Sequence, residues 1–343
     1  MSASPTPTAD WLQPHDRLPW LDHFRGLAVI AMIWVHTANA LLASDLQATA
    51  WFAELTFWHG LIAPAFFAIS GFARGLFFRP NNPPGRATIY RLLRILLIGY
   101  ALHFPFWAIL QGDWTPATWH TLWQVDVLHT LAATGLILVS LEHLSKFPSS
   151  RRWHTFTFIA PLLLFVWPTE AAAYWHTGWL PLDAWFNRQT GSLFPLFPWV
   201  SFGIAGYLSG RFCRGPSARN RIAQLAGLGA LLALVIPHLH GIDGTSRFFL
   251  QRFGWVLLAL GASVWFLTPS LQRLPRSAYW LSLAGRHSLR LYVIHLLLIF
   301  SLPLAGGTLN QRLGLTQSLP ETLTWFTAIT LLSLISAKTK RHP

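Results

Sequence analysis

This chain is poor in thiols and in charge. Cys213 is its only cysteine, which excludes an intramolecular disulfide and any thiolate metal cluster. Only 11% of the 343 residues are charged and 12 are acidic, too few to solvate the surface of a soluble protein of that size. No long polar linker interrupts the apolar blocks between residues 24 and 336, which argues against a string of soluble domains. The opening segment MSASPTPTADWLQPHDR lacks the basic and apolar regions of a signal peptide and any lipidation pattern. The first apolar block is therefore expected to stay in the mature protein. Walker and GxSxG patterns are missing, as are HxxxH and HxxE spacings on the apolar segments, so no metal site is expected. No internal repeat of the kind found in many secondary transporters is evident.

What is abundant is apolar and aromatic. Hydrophobic residues make up 53% of the chain, with 19 Trp and 25 Phe, the composition of a membrane protein. A spanning helix needs about 20 predominantly apolar residues. Ten segments qualify: 24–43, 57–78, 92–110, 121–141, 154–170, 192–210, 222–238, 248–268, 281–303 and 321–336. The expected fold is an all-α integral membrane protein of about ten transmembrane helices, with N- and C-termini cytoplasmic. Residues 1–16, rich in Ser, Pro and Thr, are expected to form a disordered cytoplasmic tail, and residues 17–343 a single polytopic domain. The net charge of +13 reads as topology rather than nucleic-acid binding, because Lys and Arg sit in short runs between apolar blocks. In this arrangement 21 of the 25 basic residues collect on the inner side, leaving Arg188, Arg247, Arg252 and Arg312 outside. The outer loops, among them YWHTGWLPLDAWFNRQTGS and GDWTPATWHTLW, are rich in Trp, His, Asp and Gly. Most of those tryptophans fit an interfacial belt, and some are candidates for stacking on a sugar. The glycine-rich patches GIAGYLSG and LAGLGALLAL read as close helix packing through small residues.

Ionisable groups inside apolar spans are costly, and they mark either a function or a buried polar pair. In LDHFRGLAVIAMIWVH, residues 21–36, the spacing places Asp22, Arg25 and His36 on one helical stripe, with about 16.5 Å of axial rise between Arg25 and His36. His59 opens the second span, Asp126 and His129 lie in QVDVLHTLAATG, and His295 is mid-span in LYVIHLLLIF. Asp126 and His129 are expected to share a helix face, so that a carboxylate orients an imidazole. Four imidazoles at or beyond mid-depth suggest a shared polar cavity. Such a cavity suits general acid–base transfer by a neutral histidine, and equally a proton relay in a permease for a small solute. A third reading is purely structural: an interfacial Asp22–Arg25 pair and a core histidine bonded to a neighbouring helix. The inner cluster RATIYRLLR, with Arg86, Arg91 and Arg94, either offers fixed positive charge to an anionic cosubstrate or simply obeys the positive-inside rule.

Three stretches resemble the transmembrane acyltransferase superfamily, which includes the acyltransferase-3 proteins and the heparan-alpha-glucosaminide N-acetyltransferase family. They are Arg25 and His36 with ten residues between them, APAFFAISGFARG at 63–75, and LAGRHSLRLYVIH at 283–295, the last similar to a G-x-x-S-L-x-x-Y-x-x-H segment. QVDVLHTLAATGLIL and FPLFPWVSFGIAGYLSGRF are similar to the heparan-alpha-glucosaminide branch, and the likeness runs from about residue 17 to about residue 300. The resemblance implies a bacterial inner-membrane enzyme moving an acetyl or similar acyl group from cytoplasmic acyl-CoA, acetyl-CoA in the first place, to an extracytoplasmic glycan. A homodimer is a candidate assembly. His36 matches the motif histidine to which catalysis is attributed, and Arg25 the arginine associated with the donor; Asp22, Arg91 and Arg94 join Arg25 as candidate donor-binding residues. His59, Asp126, His129 and His295 complete the candidate catalytic set. The chain departs from the lysosomal enzyme at one point: the active histidine there falls on Thr56 here, and His36 faces an asparagine. His59 lies three residues beyond Thr56, so both His36 and His59 stand as candidate bases, and both direct transfer and an acyl-histidine intermediate fit. Reporter fusions after Arg79, Arg152 and Arg214 are all expected to report cytoplasm, and one periplasmic signal would break the ten-span arrangement.

Overall fold

The computed structural model describes residues 18–79, 85–145, 151–166, 175–242, 244–301 and 308–338. The expected tail at 1–16 lies outside the described residues, as do Arg17, Lys146, Lys340 and Arg341. The longer helices in chain order are α1 (Pro19–Leu41), α2 (Ala50–His59), α3 (Ile62–Phe77), α4 (Arg86–His103), α5 (Pro116–Trp123), α6 (Val127–Leu144) and α7 (Arg151–Val166). They continue with α8 (Leu196–Phe212), α9 (Ala218–Val235), α10 (Gly244–Ala262), α11 (Pro275–Arg286), α12 (Ser288–Leu296) and α13 (Leu319–Lys338). Among the described residues β structure is confined to one parallel bridge, Leu42 with Gln317.

Six stretches are long and apolar enough to cross a bilayer: Pro19–Leu41, Ala50–Phe77, Val127–Leu144, Ala218–His238, Gly244–Gln272 and Leu319–Lys338. Their number makes this a multi-pass membrane protein, and helices are what a hydrocarbon environment allows, since every backbone donor must be met within the chain. Pro275–Arg286 and Ser288–Ser301 form a further candidate, bent by 77° at the junction. The sequence suggests one straight span over 281–303. The break falls at His287, whose φ of −110° and ψ of 23° interrupt the helical path. The physical reason lies on either side: α11 carries Arg276, Ser277, Ser282 and Arg286, whereas Leu291–Phe300 is almost wholly apolar. The fourth span also starts later than expected. Pro116–Trp123 forms its own short helix, and Asp126 serves as N-cap of α6 rather than as a mid-helix residue.

The helices fall into two compact units, one built from Met1–Ile62 with Leu258–Pro343 and the other from Ala63–Leu257. In the first, α1 lies along α11 and also packs on α13 and α12. Proline at the first turn of α1 suits a position whose N–H has no intrahelical partner. The helix buries Phe24, Val29, Met32 and Ile33. Its exit is pinned by backbone bonds to the segment before α13: Leu315 N–H to Ala40 O at 3.2 Å, Gln317 N–H to Leu41 O and Ala43 N–H to Gln317 O, both at 2.9 Å. At the other end α1 and α11 touch backbone to backbone. A Cβ on Gly285 would overlap the Asp22 carbonyl oxygen, and one on Gly26 the Leu281 carbonyl oxygen.

In the second unit the same device joins α3 to α8. Gly71 faces Gly203, while Gly206 and Gly210 lie against the carbonyls of Ala68 and Phe72. The expectation of small-residue packing for GIAGYLSG therefore holds. In LAGLGALLAL it holds for Gly229, which meets Gly254, while a Cβ on Gly227 would meet nothing within 4 Å. Gly285→Val is expected to destabilise the protein in detergent by about 1–3 kcal/mol or more, because the overlap is with backbone. Gly227→Ala, in open space on a helix, is expected to be neutral or to add up to about 1 kcal/mol. Thermal unfolding of the two variants checks both, and equal effects would refute the packing argument.

Candidate functional site

The first unit brings together two histidines from opposite ends of the chain. His36 Nδ1 and His295 Nε2 are 2.6 Å apart. Their ring planes differ by 12° and the centroids are 4.9 Å apart. That separation is two ring radii plus the N···N distance, so the imidazoles meet edge to edge through an in-plane hydrogen bond rather than face to face. Tyr292, one turn before His295 on α12, sets its ring at a steep angle to both, with centroids 6.3 Å from His36 and 5.5 Å from His295. His295 is fully buried and His36 half-buried.

The hydrogen-bond chain assigns the protons of the neutral pair. His295 Nδ1 lies 2.8 Å from the Leu291 carbonyl oxygen, which can only accept, so Nδ1 carries the proton and Nε2 the lone pair. His36 Nδ1 must then donate to His295 Nε2. The lone pair of His36 is thereby placed on Nε2, the remaining ring nitrogen. A buried imidazole fixed by a backbone carbonyl thus orients a second imidazole as a base, as outer partners orient catalytic and metal-bound histidines.

His59 is arranged differently. The indole Nε1–H of Trp34, two residues before His36, donates to His59 Nε2 at 3.1 Å. That bond engages the lone pair of His59 and leaves the proton on Nδ1, which is buried without a hydrogen-bond partner. Trp34 was not among the residues singled out from the sequence, since tryptophan in a span reads as packing or interface. Asp22 and Arg25 are half-buried on α1. Asp22 lines a cleft of about 480 Å³ with Pro19, Leu271, Tyr279, Ser282 and Arg286. At the same end of α1, His23 pairs with Thr268 Oγ1 at 3.1 Å.

Asp126 and His129 lie in the second unit. The expected carboxylate-to-imidazole contact is replaced by a capping box: the Asp126 side chain accepts from the Val127 N–H at 2.6 Å and from the backbone of His129, and the Asp126 N–H donates to His129 Nδ1 at 3.2 Å. The cause is Asp126's place at the helix start, where free N–H groups compete for its oxygens. Its other oxygen lies 3.4 Å from His103 Nε2. His129 is fully buried, edge-on to Tyr100 with ring centroids 4.3 Å apart, and a Cβ on Gly99 would press on its ring. Arg91 and Arg94 stand on the exposed side of α4. Of the four imidazoles expected to share a cavity, the structure joins His36 to His295, ties His59 to Trp34 and seats His129 in the other unit. Before α8, Asp183 at the end of the short helix Leu180–Asp183 accepts from the Thr177 N–H at 2.8 Å and from the Thr177 hydroxyl at 2.7 Å. These bonds hold its carboxyl below the usual carboxylate range.

A multi-pass membrane protein, helical over the described residues and with a part-buried imidazole pair, is the class these features define. The family model for heparan-alpha-glucosaminide N-acetyltransferase, catalytic, matches residues 17–237. That is well over half of the chain, and the chain belongs to this family, with the acetyltransferase-type function that goes with it. No curated protein matches the chain. His36, His59, Asp126 and His129 fall within the matched residues, and His295 lies beyond them.

The proton assignment has its own check. In protein carrying ¹⁵N-labelled histidine, His36 and His295 are expected each to show a protonated Nδ1 and an unprotonated Nε2, with assignments made from His36→Gln and His295→Gln. A protonated Nε2 on His36 would reverse the relay.

Proposed function

We propose that the protein transfers an acetyl or similar acyl group from acyl-CoA to a hydroxyl or amine of an extracytoplasmic carbohydrate, with His36 as general base. The observation that carries this reading is the edge-to-edge bond from His36 to a buried His295, which is itself anchored on the Leu291 carbonyl. Membership of an acetyltransferase family supplies the reaction class. The orientation follows the basic-residue bias, which sets the termini and the N-terminal end of α1 in the cytoplasm of a bacterial inner membrane. The donor then enters at the cleft beside Asp22, and Arg25 holds its anionic part. The rise of α1 from Arg25 to His36 is about 16.5 Å, enough for an extended thioester arm to bring its carbonyl to the imidazole.

In the transfer itself, His36 Nε2 removes the proton from the acceptor hydroxyl or amine. The acceptor atom bonds to the thioester carbonyl carbon, the C–S bond breaks, and the thiolate leaves and regains a proton from His36. The imidazolium formed in the first step is held by its Nδ1–H bond to His295, which keeps the ring in place for the proton's return. His59 suits the base role less, because the Trp34 indole already donates to its lone-pair nitrogen. Its bond holds the Trp34 indole on α1. Direct transfer needs no acyl-histidine, and this geometry favours it by keeping the ring tethered.

In detergent-purified protein supplied with acetyl-CoA and an amino-sugar acceptor, His36→Ala is expected to lower transfer by about 10²–10⁴-fold, the usual worth of a general base. His59→Gln, which retains a hydrogen-bond acceptor for Trp34, is expected to lose less than tenfold. The reverse ranking would move the base to His59, and failure of wild-type protein to bind or consume acetyl-CoA would overturn the reading.

A further inference from the structure

The cleft at the start of α1 carries more chemistry than an entrance needs. Its walls come from three places in the first unit: the first turn of α1 with Asp22, the short helix Thr268–Gln272 with Gln272, and one face of α11 with Tyr279, Ser282 and Arg286. Those last three follow one another at spacings of three and four, so they form a single stripe on the helix. The walls are tied to one another. His23 Nδ1 and Thr268 Oγ1 lie 3.1 Å apart, joining α1 to the short helix, and Gly285 lets α11 rest on the Asp22 carbonyl. A cleft of about 480 Å³ between braced walls has the size and the preformed shape of a small-molecule site.

Four kinds of group line this space. Tyr279 is 38% exposed, and the neighbouring Trp280 stands at a steep angle to its ring, with centroids 5.4 Å apart. Arg286 donates its Nε–H to the Ser282 carbonyl of its own helix at 3.2 Å, which leaves the N–H groups on its two Nη atoms for another partner. Gln272 brings an amide and Asp22 a carboxylate. An interfacial belt and the positive-inside rule account for an exposed tyrosine and arginine at this end of the protein. They do not account for an amide and a carboxylate brought to the same cleft. An aromatic face, a group that both donates and accepts, a group that only accepts and a guanidinium together match one chemical class, a nucleoside bearing phosphate. It offers a base to stack, a base edge to pair, a ribose hydroxyl and an anion.

We propose that this cleft binds the adenosine 3′-phosphate end of the donor, with Tyr279 stacking on the adenine and Arg286 holding the 3′-phosphate, an assignment that rests on acyl-CoA being the donor. With the thioester at His36, Arg25 lies about 16.5 Å back along α1 and Asp22 about one turn further. The diphosphate then falls beside Arg25 and the nucleoside beyond it, in the cleft. There the Asp22 carboxylate accepts from the ribose 2′-hydroxyl, and the Gln272 amide meets the amino edge of the base. Gln272, Tyr279, Ser282 and Arg286 all lie outside the residues that the family model matches.

The test uses full-length protein in neutral detergent and reads binding by calorimetry, separately from transfer. Its ligands are CoA, dephospho-CoA, which lacks only the 3′-phosphate, and 3′,5′-ADP, which lacks the pantetheine arm. Wild-type protein is expected to bind CoA about tenfold more tightly than dephospho-CoA, and 3′,5′-ADP is expected to compete with CoA. Arg286→Gln should weaken CoA by about the same factor and leave dephospho-CoA nearly unchanged, a selectivity that a merely structural role would not produce. Tyr279→Leu should weaken CoA and dephospho-CoA alike, by severalfold. Both side chains are exposed, so neither exchange opens the core. Equal wild-type affinities for CoA and dephospho-CoA, or a CoA affinity unchanged in both variants, would overturn the nucleotide cleft and leave the donor reading standing. Wild-type protein that binds none of the three ligands would overturn the donor reading and the cleft assignment with it.

Discussion

A hydrogen bond between two imidazoles, 259 residues apart in the chain, sets the conditions that the rest of the first unit must meet. Such a bond tolerates little error in ring position, and one of its two rings, His295, is fully buried. The helices carrying the two rings must therefore be brought together closely and held at a fixed height. Gly26 and Gly285 contribute to the first by letting α1 meet α11, the helix that leads into α12 and His295, without side chains between them. The backbone bonds from residues 315 and 317 to the end of α1 achieve the second, fixing the helix just beyond His36.

The two units use the same steric device for different ends. In the first, small residues serve a site, because the helix they seat carries His36 a few turns further on. In the second, Gly71, Gly203, Gly206 and Gly210 hold α3 against α8, and the polar residues at the C-terminal ends of these helices are Arg74 and Arg211. Close backbone approach leaves no room for apolar side chains between such helices. Long polar side chains just past the contact can then fold over its end, as Arg74 does toward Glu142 and Arg211 toward Phe78.

Much of this was legible in the residues. Apolar runs announced the helices, and the Arg25-to-His36 spacing together with the 283–295 stretch pointed to the acyltransferase likeness that the family match supports. The glycine of that late stretch has a physical reason in the overlap with Asp22, and its histidine in the bond to His36. Other features were hidden because they depend on partners distant in the chain or on competition at a helix end. Nothing in a one-dimensional pattern ties Trp34 to His59, and that single bond separates the two candidate bases. Asp126 and His129 had the right spacing for a shared face, but spacing does not reveal that a helix starts at Val127 and draws the carboxylate to its own N–H groups. The break at His287 was concealed in the same way, since the change from the polar Arg276–Arg286 stretch to the apolar Leu291–Phe300 stretch carries no mark of direction.

That break has a mechanical consequence. Gly285 and His295 sit on two rods joined by a 77° bend, so the bend at His287 acts as the pivot of a lever whose arm is the helix up to His295. Eight residues of helix give an arm of about 12 Å, and a rotation of one degree at the pivot sweeps the imidazole through about 0.2 Å. A functional constellation has to be held to about 0.5 Å, which leaves the pivot a tolerance of about two or three degrees. The stiffness of one non-helical residue thus sets how closely the His295 ring registers with His36 a dozen ångströms away, and substitutions around His287 act on that register as a change of aim.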